Sequence, residues 1–173
     1  MQLAPPSQFT DAMSLLASGV VMVTTRLDGR PWGVTVSSFA SISAEPPTTL
    51  VSLETDTAGA RAIEAAASFG VSILGRHHRV AARHGSTRGE AKFLEPFVDR
   101  RDRRAIPSIA GALARLECDT TDQLEIADHT IFVGVVREVR VATGGEPLVY
   151  FGRAYRRLAR DFSTREVKPC FSN

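Results

Sequence analysis

Apolar positions change period several times along this chain, and each change marks an element. Phe9, Ala12, Met13, Leu15 and Leu16 recur near helical spacing, so Phe9 to Ser18 is expected to form a helix capped by Ser7 and ended by Gly19. Val20 to Thr25 is mostly β-branched, the preference of strands, and the Asp28-Gly29 pair after it is the strongest short hairpin signal. The return strand runs from Pro31 to Ile42, Pro46-Pro47 breaks the chain, and Thr48 to Leu53 reads as a third strand. Asp56 or Thr57 then caps an Ala-rich helix that stops before Phe69-Gly70, and Val71 to Leu74 is a short buried strand. Residues 77 to 84 suit one or two helical turns. No period holds from Gly85 to Pro107, which reads as a long charged surface loop of the kind that serves as a lid or binding loop. Three longer strands follow at Ala112 to Thr121, Thr130 to Val141 and Leu148 to Leu158, with Gly144-Gly145 turning the chain between the last two. A polar tail begins beyond Asp161.

Six or so strands in hairpin series, with two or three short helices, do not make a βαβ pattern. The expected fold is mainly β with minor α, an antiparallel barrel with short helices at its periphery. Residues 1–160 make the domain and 161–173 the tail.

Composition narrows the setting. The 173 residues suffice for a core without metal or disulfide staples, and 43% apolar with 23% charged residues is the balance of an ordinary globule. No apolar run approaches the roughly 20 residues of a membrane span, and no basic segment leads into an apolar one at the start, so neither membrane nor secretion is expected. Two cysteines, Cys118 and Cys170, suit a reducing cytoplasm better than a disulfide framework. The net charge of +2 makes no bulk case for nucleic acid. Arginine is nevertheless crowded at 76–104 and again at 153–165. Such crowding suits solvated faces or, alternatively, attraction of phosphorylated cofactors.

Three places carry candidate chemistry. In Gly33-Val34-Thr35-Val36-Ser37-Ser38-Phe39, hydroxyls interrupt an apolar strand. They fit a water-facing edge or a cross-strand ladder, and equally the alternating donors and acceptors of a flavin edge. Asp128-His129-Thr130 puts an imidazole at a strand entrance, as a proton donor, an anchor or a structural group. In an extended chain Asp128 would face away from His129. Lys92-Phe93 could set a phosphate-binding charge beside a ring cover, or be a surface lysine beside a loop anchor. His77, His78 and His84 lack the spacing and the thiol or carboxylate of a metal motif, and no metal is expected. GVTVSS is neither GxGxxG nor a P-loop, and no GxSxG elbow supports a hydrolase.

In order along residues 9 to 158 these pieces resemble the short-chain flavin reductases of the FMN-binding split-barrel fold, the reductase components of two-component flavin-dependent monooxygenases. The resemblance rests on Ala17-Ser18-Gly19-Val20, Gly33 to Phe39, Ser41-Ile42-Ser43 with Pro46-Pro47, Val51-Ser52-Leu53 and Phe69 to Leu74. It continues through Lys92-Phe93, Leu116-Glu117-Cys118, Asp128 to Gly134 and Pro147 to Phe151 with Tyr155. It implies NAD(P)H:flavin reduction, with FMN or FAD as flavin and NADH or NADPH as hydride donor. It also implies a homodimer and a transient monooxygenase partner. Thr35, Val36, Ser37 and Ser38 would line the isoalloxazine, and Ser52, Leu53 and Glu54 the ring and ribityl chain. Lys92 and Phe93 would hold the phosphate end, His129 would sit by the nicotinamide and flavin, and Arg153 and Tyr155 by the bound nucleotide. Two departures stand out: Ala127 replaces the usual Gly before Asp-His, and Ala58-Gly59 replaces an Asn-Ser pair that reaches the phosphate. A non-reductase flavin carrier and a pyridoxamine-phosphate-oxidase-like oxidase share the barrel and remain open at this point. So, more remotely, does a basic nucleic-acid-binding barrel, although aromatic stacking residues are scarce.

Overall fold

The computed structural model describes residues 3–99 and 106–158. The expected tail at 161–173, Cys170, and the arginines at 100, 101, 103, 104, 160 and 165 lie outside these residues.

Among the described residues, ten strands and three α-helices form the fold. They are α1 (Pro6–Ser14), β1 (Ser18–Gly19), β2 (Val21–Leu27), β3 (Arg30–Val36), β4 (Phe39–Ala44), β5 (Pro47–Glu54), α2 (Ala58–Ala66) and β6 (Ser68–Ile73). A 3₁₀ turn (Arg76–His78) leads into α3 (Arg79–Ser86), followed by β7 (Ala114–Ile126), β8 (His129–Val141), β9 (Val149–Phe151) and β10 (Ala154–Arg156). Seven strands make one antiparallel sheet in the order β3-β2-β6-β7-β8-β5-β4, and β1, β9 and β10 make a small second one. The edge strands β3 and β4 are consecutive in the chain, with only Ser37 and Ser38 between them. The sheet must therefore curl until its edges nearly meet. The result is a split barrel rather than one closed by a continuous ladder, in keeping with the expected class.

Both faces of β2 are covered, which explains its unbroken apolar run. Val21 and Val23 join the barrel core with Val51, Leu53, Ile63, Phe69, Val71 and Phe132. Val20 and Met22 face a second core with Leu74, Ala82, Leu94, Ile109 and Leu148. Cys118 lies in the barrel core, where burial pushes its thiol up to about 12, so it is no nucleophile at neutral pH.

Several local expectations need correction. The first helix starts on Pro6 instead of Phe9 because proline suits the first helical turn, and its cap residue Pro5 offers no side-chain cap. Ser18 and Gly19 pair with Tyr150 and Val149 as β1. The strand foreseen over Pro31 to Ile42 breaks at Ser37-Ser38, where the barrel splits. The strand foreseen over Leu148 to Leu158 is a tight hairpin, because Gly152 and Arg153 take φ of 58° and 57°. The Asp28-Gly29 turn also has both residues at positive φ, as a type I′ hairpin requires. Thr57, rather than Asp56, caps α2, its hydroxyl accepting from the Ala60 amide at 3.2 Å.

The described residues of the segment after α3, 87–99 and 106–113, are anchored in the fold rather than lying free on its surface. Leu94 and Ile109 are fully buried. The Leu94 amide donates to the Pro31 carbonyl at 2.9 Å and the Gly33 amide to the Lys92 carbonyl at 3.1 Å, covering the open edge of β3. His84 adds a third tie, Nε2 to the Phe93 carbonyl at 2.9 Å.

His78 anchors the 3₁₀ turn. The Gly75 amide donates to its Nδ1 at 3.0 Å, so the proton of the neutral ring sits on Nε2 and is donated to the Ala110 carbonyl at 2.9 Å. Burial, reinforced by the stacked His77 ring, holds this imidazole below its ordinary range. The unfolded chain then takes up the proton first as pH falls. This contribution to stability is present above about pH 6.5 and is lost as pH drops through the lower folded-state value. Thermal melts should show Tm declining below about pH 6.5, with a shallower decline in His78→Gln; equal slopes would contradict this.

Candidate active site

The split of the barrel opens into a cleft of about 320 Å³, within the roughly 300–1,000 Å³ usual for small-molecule sites. One wall is the end of β3 with the gap, Thr35 to Ser38, and another is Ser52, Leu53 and Glu54 of β5. His129 at the start of β8 stands beside Glu54, its ladder partner, and also lines the cleft. At the other end stand Trp32, Thr57, Gly59 and Lys92. Arg88, just after α3, bonds Glu54 at 2.6 Å and so joins two walls.

The gap supplies hydrogen-bonding groups because Ser37 and Ser38 lie in neither β3 nor β4. The Ser38 hydroxyl is spent on the Ser52 carbonyl at 2.7 Å, and the Ser38 carbonyl accepts from the Ser52 amide at 3.0 Å. Thr35 turns its hydroxyl toward the Met22 sulfur at 3.6 Å. A Cβ on Gly85 would lie 2.4 Å from that hydroxyl oxygen, so glycine is what lets α3 approach β3. The exposed Ser37 hydroxyl and the local backbone amides are thus better placed to meet a ligand than Thr35 or Ser38 side chains.

His129 and Asp128 are in contact, contrary to the expectation from extended backbone. Ile126 pairs with His129, so Ala127 and Asp128 form a two-residue turn, and Nδ1 donates to Asp128 Oδ1 at 2.7 Å. That hydrogen bond holds the Asp128 carboxyl below its usual range and leaves Nε2 as the second ring nitrogen.

The opposite end suits an anion. The N-terminus of α2 carries the positive end of a helix dipole, and Lys92 has no carboxylate partner among the described residues. Gly59 lines the cleft but Ala58 does not. A Cβ on Gly59 would come within 3.1 Å of Trp32 Nε1, so the bare glycine leaves room for that ring. Phe93 does not line the cleft either. It supports Trp32 edge-on at 5.0 Å and carries the Arg30 guanidinium over its face at 3.5 Å. Arg153 and Tyr155 line an adjoining cavity of about 370 Å³ that shares Thr35, Val36, Ser37 and Ser86 with the first. Trp32 and Ser86 escaped sequence reading, since neither sits in a motif, whereas Thr57 was read as a helix cap and Arg88 as one of the crowded arginines; the lone tryptophan at a strand edge was the one usable signal for the first pair. The three histidines at 77, 78 and 84 are engaged in stacking and backbone bonds as described.

A flat heterocycle with a phosphate tail fits this donor set, with amides and a hydroxyl at the gap and a cation with a helix end at the far side. Comparison with known proteins agrees. Residues 13–159 match the family model described as flavin reductase like domain. The chain is 35% identical over 161 residues to NADH:riboflavin 5'-phosphate oxidoreductase of Streptomyces pristinaespiralis, covering 92% of this chain and 88% of that protein. It is 35% identical over 151 residues to the reductase component of 4-hydroxyphenylacetate 3-monooxygenase from Thermus thermophilus, covering 87% and 95% respectively. Among solved structures, Streptomyces globisporus C-1027 NADH:FAD oxidoreductase SgcE6, in complex with NAD and FAD fragments, superposes with TM-score 0.82 at 31% identity over 93% of this chain and 99% of that one.

Ala127 stores strain beside the site. Its φ of 53° falls at the first central position of the turn, where a glycine is at ease and a Cβ costs roughly 1–2 kcal/mol. Ala127→Gly should raise Tm by a few degrees, on the order of 1 kcal/mol. An unchanged or lower Tm would show that the turn is not strained.

Proposed function

The chain belongs to the flavin reductase-like family, and from that premise we propose that it is an NADH:flavin oxidoreductase that supplies reduced FMN or FAD to a partner monooxygenase. The observation that carries the site assignment is that Ser37 and Ser38, which belong to neither β3 nor β4, and the His129 ring line one cleft. Reduced nicotinamide donates hydride and flavin accepts it, so the protein needs only to bind and align the two. Amides at the gap and the Ser37 hydroxyl bond the polar edge of the isoalloxazine and favour the charge that develops there on reduction. Ser52, Leu53 and Glu54 flank the ring and ribityl chain, while Lys92 and the α2 terminus hold the phosphate. Asp128 fixes the tautomer of His129, so that Nε2 orients the ligands and can hold a proton. Thr35 and Val36 form the cleft floor beneath the ring, and Tyr155 and Arg153 border the nicotinamide nucleotide. The reaction belongs in the cytoplasm, a compartment that suits the free, buried Cys118.

A second copy of the chain is part of this proposal. Helix α1 buries none of its residues; Phe9 and Met13, 60% and 48% exposed, are one turn apart on it, and Leu15 and Leu16 just beyond its end are exposed too. Leu124 and Ile126, before the turn that leads to His129, are also exposed. A symmetric dimer would cover such faces.

Mixing the protein with NADH and FMN should deplete the nicotinamide absorbance band; no turnover with FMN, FAD or riboflavin would refute the reading. His129→Ala should lower kcat/KM for NADH on the order of 10- to 100-fold. FMN affinity, read from the emission of Trp32, the one tryptophan of the chain, should barely move. Unchanged kinetics would remove His129 from the site. Light scattering should give twice the chain mass, falling toward a monomer in Phe9→Glu/Met13→Glu; a monomeric wild type would refute the dimer.

A further inference from the structure

Beyond the two cavities already described, a third of about 660 Å³ is walled mainly by Arg76, His77, Arg79, Tyr155, Arg156 and Arg157. We propose that this cleft is an anion subsite for the adenosine diphosphate end of a dinucleotide whose reacting end lies in the ring pocket. The proposal rests on the reductase reading and adds to it where the diphosphate goes.

Three observations support it. The first is electrostatic. Six described arginines outside the cleft are held by carboxylates, in Arg30–Glu95, Arg88–Glu54, Arg115–Asp99, Arg137–Asp119, Arg140–Glu138 and Arg153–Asp11. In the cleft, Arg79, Arg156 and Arg157 have no carboxylate partner among the described residues, and Arg76 has the half-buried Glu146 at 3.5 Å. The second is the placement of the charge. Arg79 opens α3, whose first turn holds no acidic residue, and Arg76 and His77 lie just before it. Cations there oppose the helix dipole, an arrangement that a bound anion would reverse. The third is continuity. Ser86 lines the first and second cavities, Tyr155 the second and third, and their hydroxyls lie 3.4 Å apart. Helix α3 runs alongside from Arg79 to Ser86, a rise of about 10 Å, the scale on which a dinucleotide separates its ring from its diphosphate. The concave, connected shape favours a small phosphorylated ligand over a protein surface.

FAD and NADH both carry an ADP half, but the flavin-side phosphate is already assigned to Lys92 and the α2 terminus, so the diphosphate held here is the nicotinamide dinucleotide's. Calorimetric titration of the full chain with ADP should show binding that weakens at least tenfold in Arg79→Gln/Arg156→Gln and is unchanged in Arg140→Gln, which lines none of the three cavities. In the double variant KM should rise for NADH but not for reduced nicotinamide mononucleotide, which lacks the ADP half, and FAD and FMN affinities should stay as they are. A loss of FAD affinity with FMN affinity kept would overturn the assignment to the nicotinamide dinucleotide. ADP binding and the NADH selectivity untouched would overturn the subsite. So would a loss of FMN affinity, because the arginines would then act on the ring pocket or the fold. A wild type that neither binds FMN nor oxidises NADH would instead sink the reductase reading, and the ADP titration remains interpretable without it.

Discussion

Two residues, Ser37 and Ser38, join the opposite edges of a seven-stranded sheet, and that short connection constrains everything around it. Strand order puts β3 and β4 farthest apart in the ladder, while the chain allows them almost no separation in space. The sheet must curl, and β3 and β4 share no ladder at the seam. The seam lines the cleft. Under the proposed reading a ligand rich in alternating donors and acceptors would bond there. Elsewhere the free edge of β3 is covered by the segment through Lys92 and Leu94, whose burial also carries the Lys92 ammonium to the cleft.

Further groups hold the site in shape. Gly85 permits the close approach of α3, Phe93 props Trp32, and His84 holds the Phe93 carbonyl. Asp128 reaches His129 only because Ala127 accepts a left-handed backbone that its Cβ resists. Local strain is thus tied to the orientation of the one imidazole in the cleft.

Much of the architecture was legible in the amino-acid order. β-Branched runs and Asp28-Gly29 announced the first hairpin, beginning with the strand read at Val20 to Thr25. What escaped has identifiable causes. The break at 37–38 is a consequence of sheet closure, a non-local constraint without a breaker residue to mark it. The split after Phe151 was signalled only by Gly152, and a lone glycine in a strand pattern is ambiguous. Gly85 to Pro107 looked like a surface loop because its charges outnumber its anchors, yet within it Leu94 and Ile106 are buried. Within the site, hydroxyls in a motif were easy to single out, whereas their division of labour was not. Ser38 bonds its neighbour strand and Ser37 stays free, and only the geometry of the seam decides which is which. Trp32 and Arg88 arrive from a strand edge and a helix end, positions that carry no spacing to read.

The central claim is that the seam of the barrel holds the flavin ring. A structure of the protein with FMN bound tests it most directly. The isoalloxazine should lie within about 3.5 Å of backbone atoms at positions 37 and 38 with the side chain of His129 over it. A ring bound elsewhere, with the seam filled by protein or solvent alone, would contradict it.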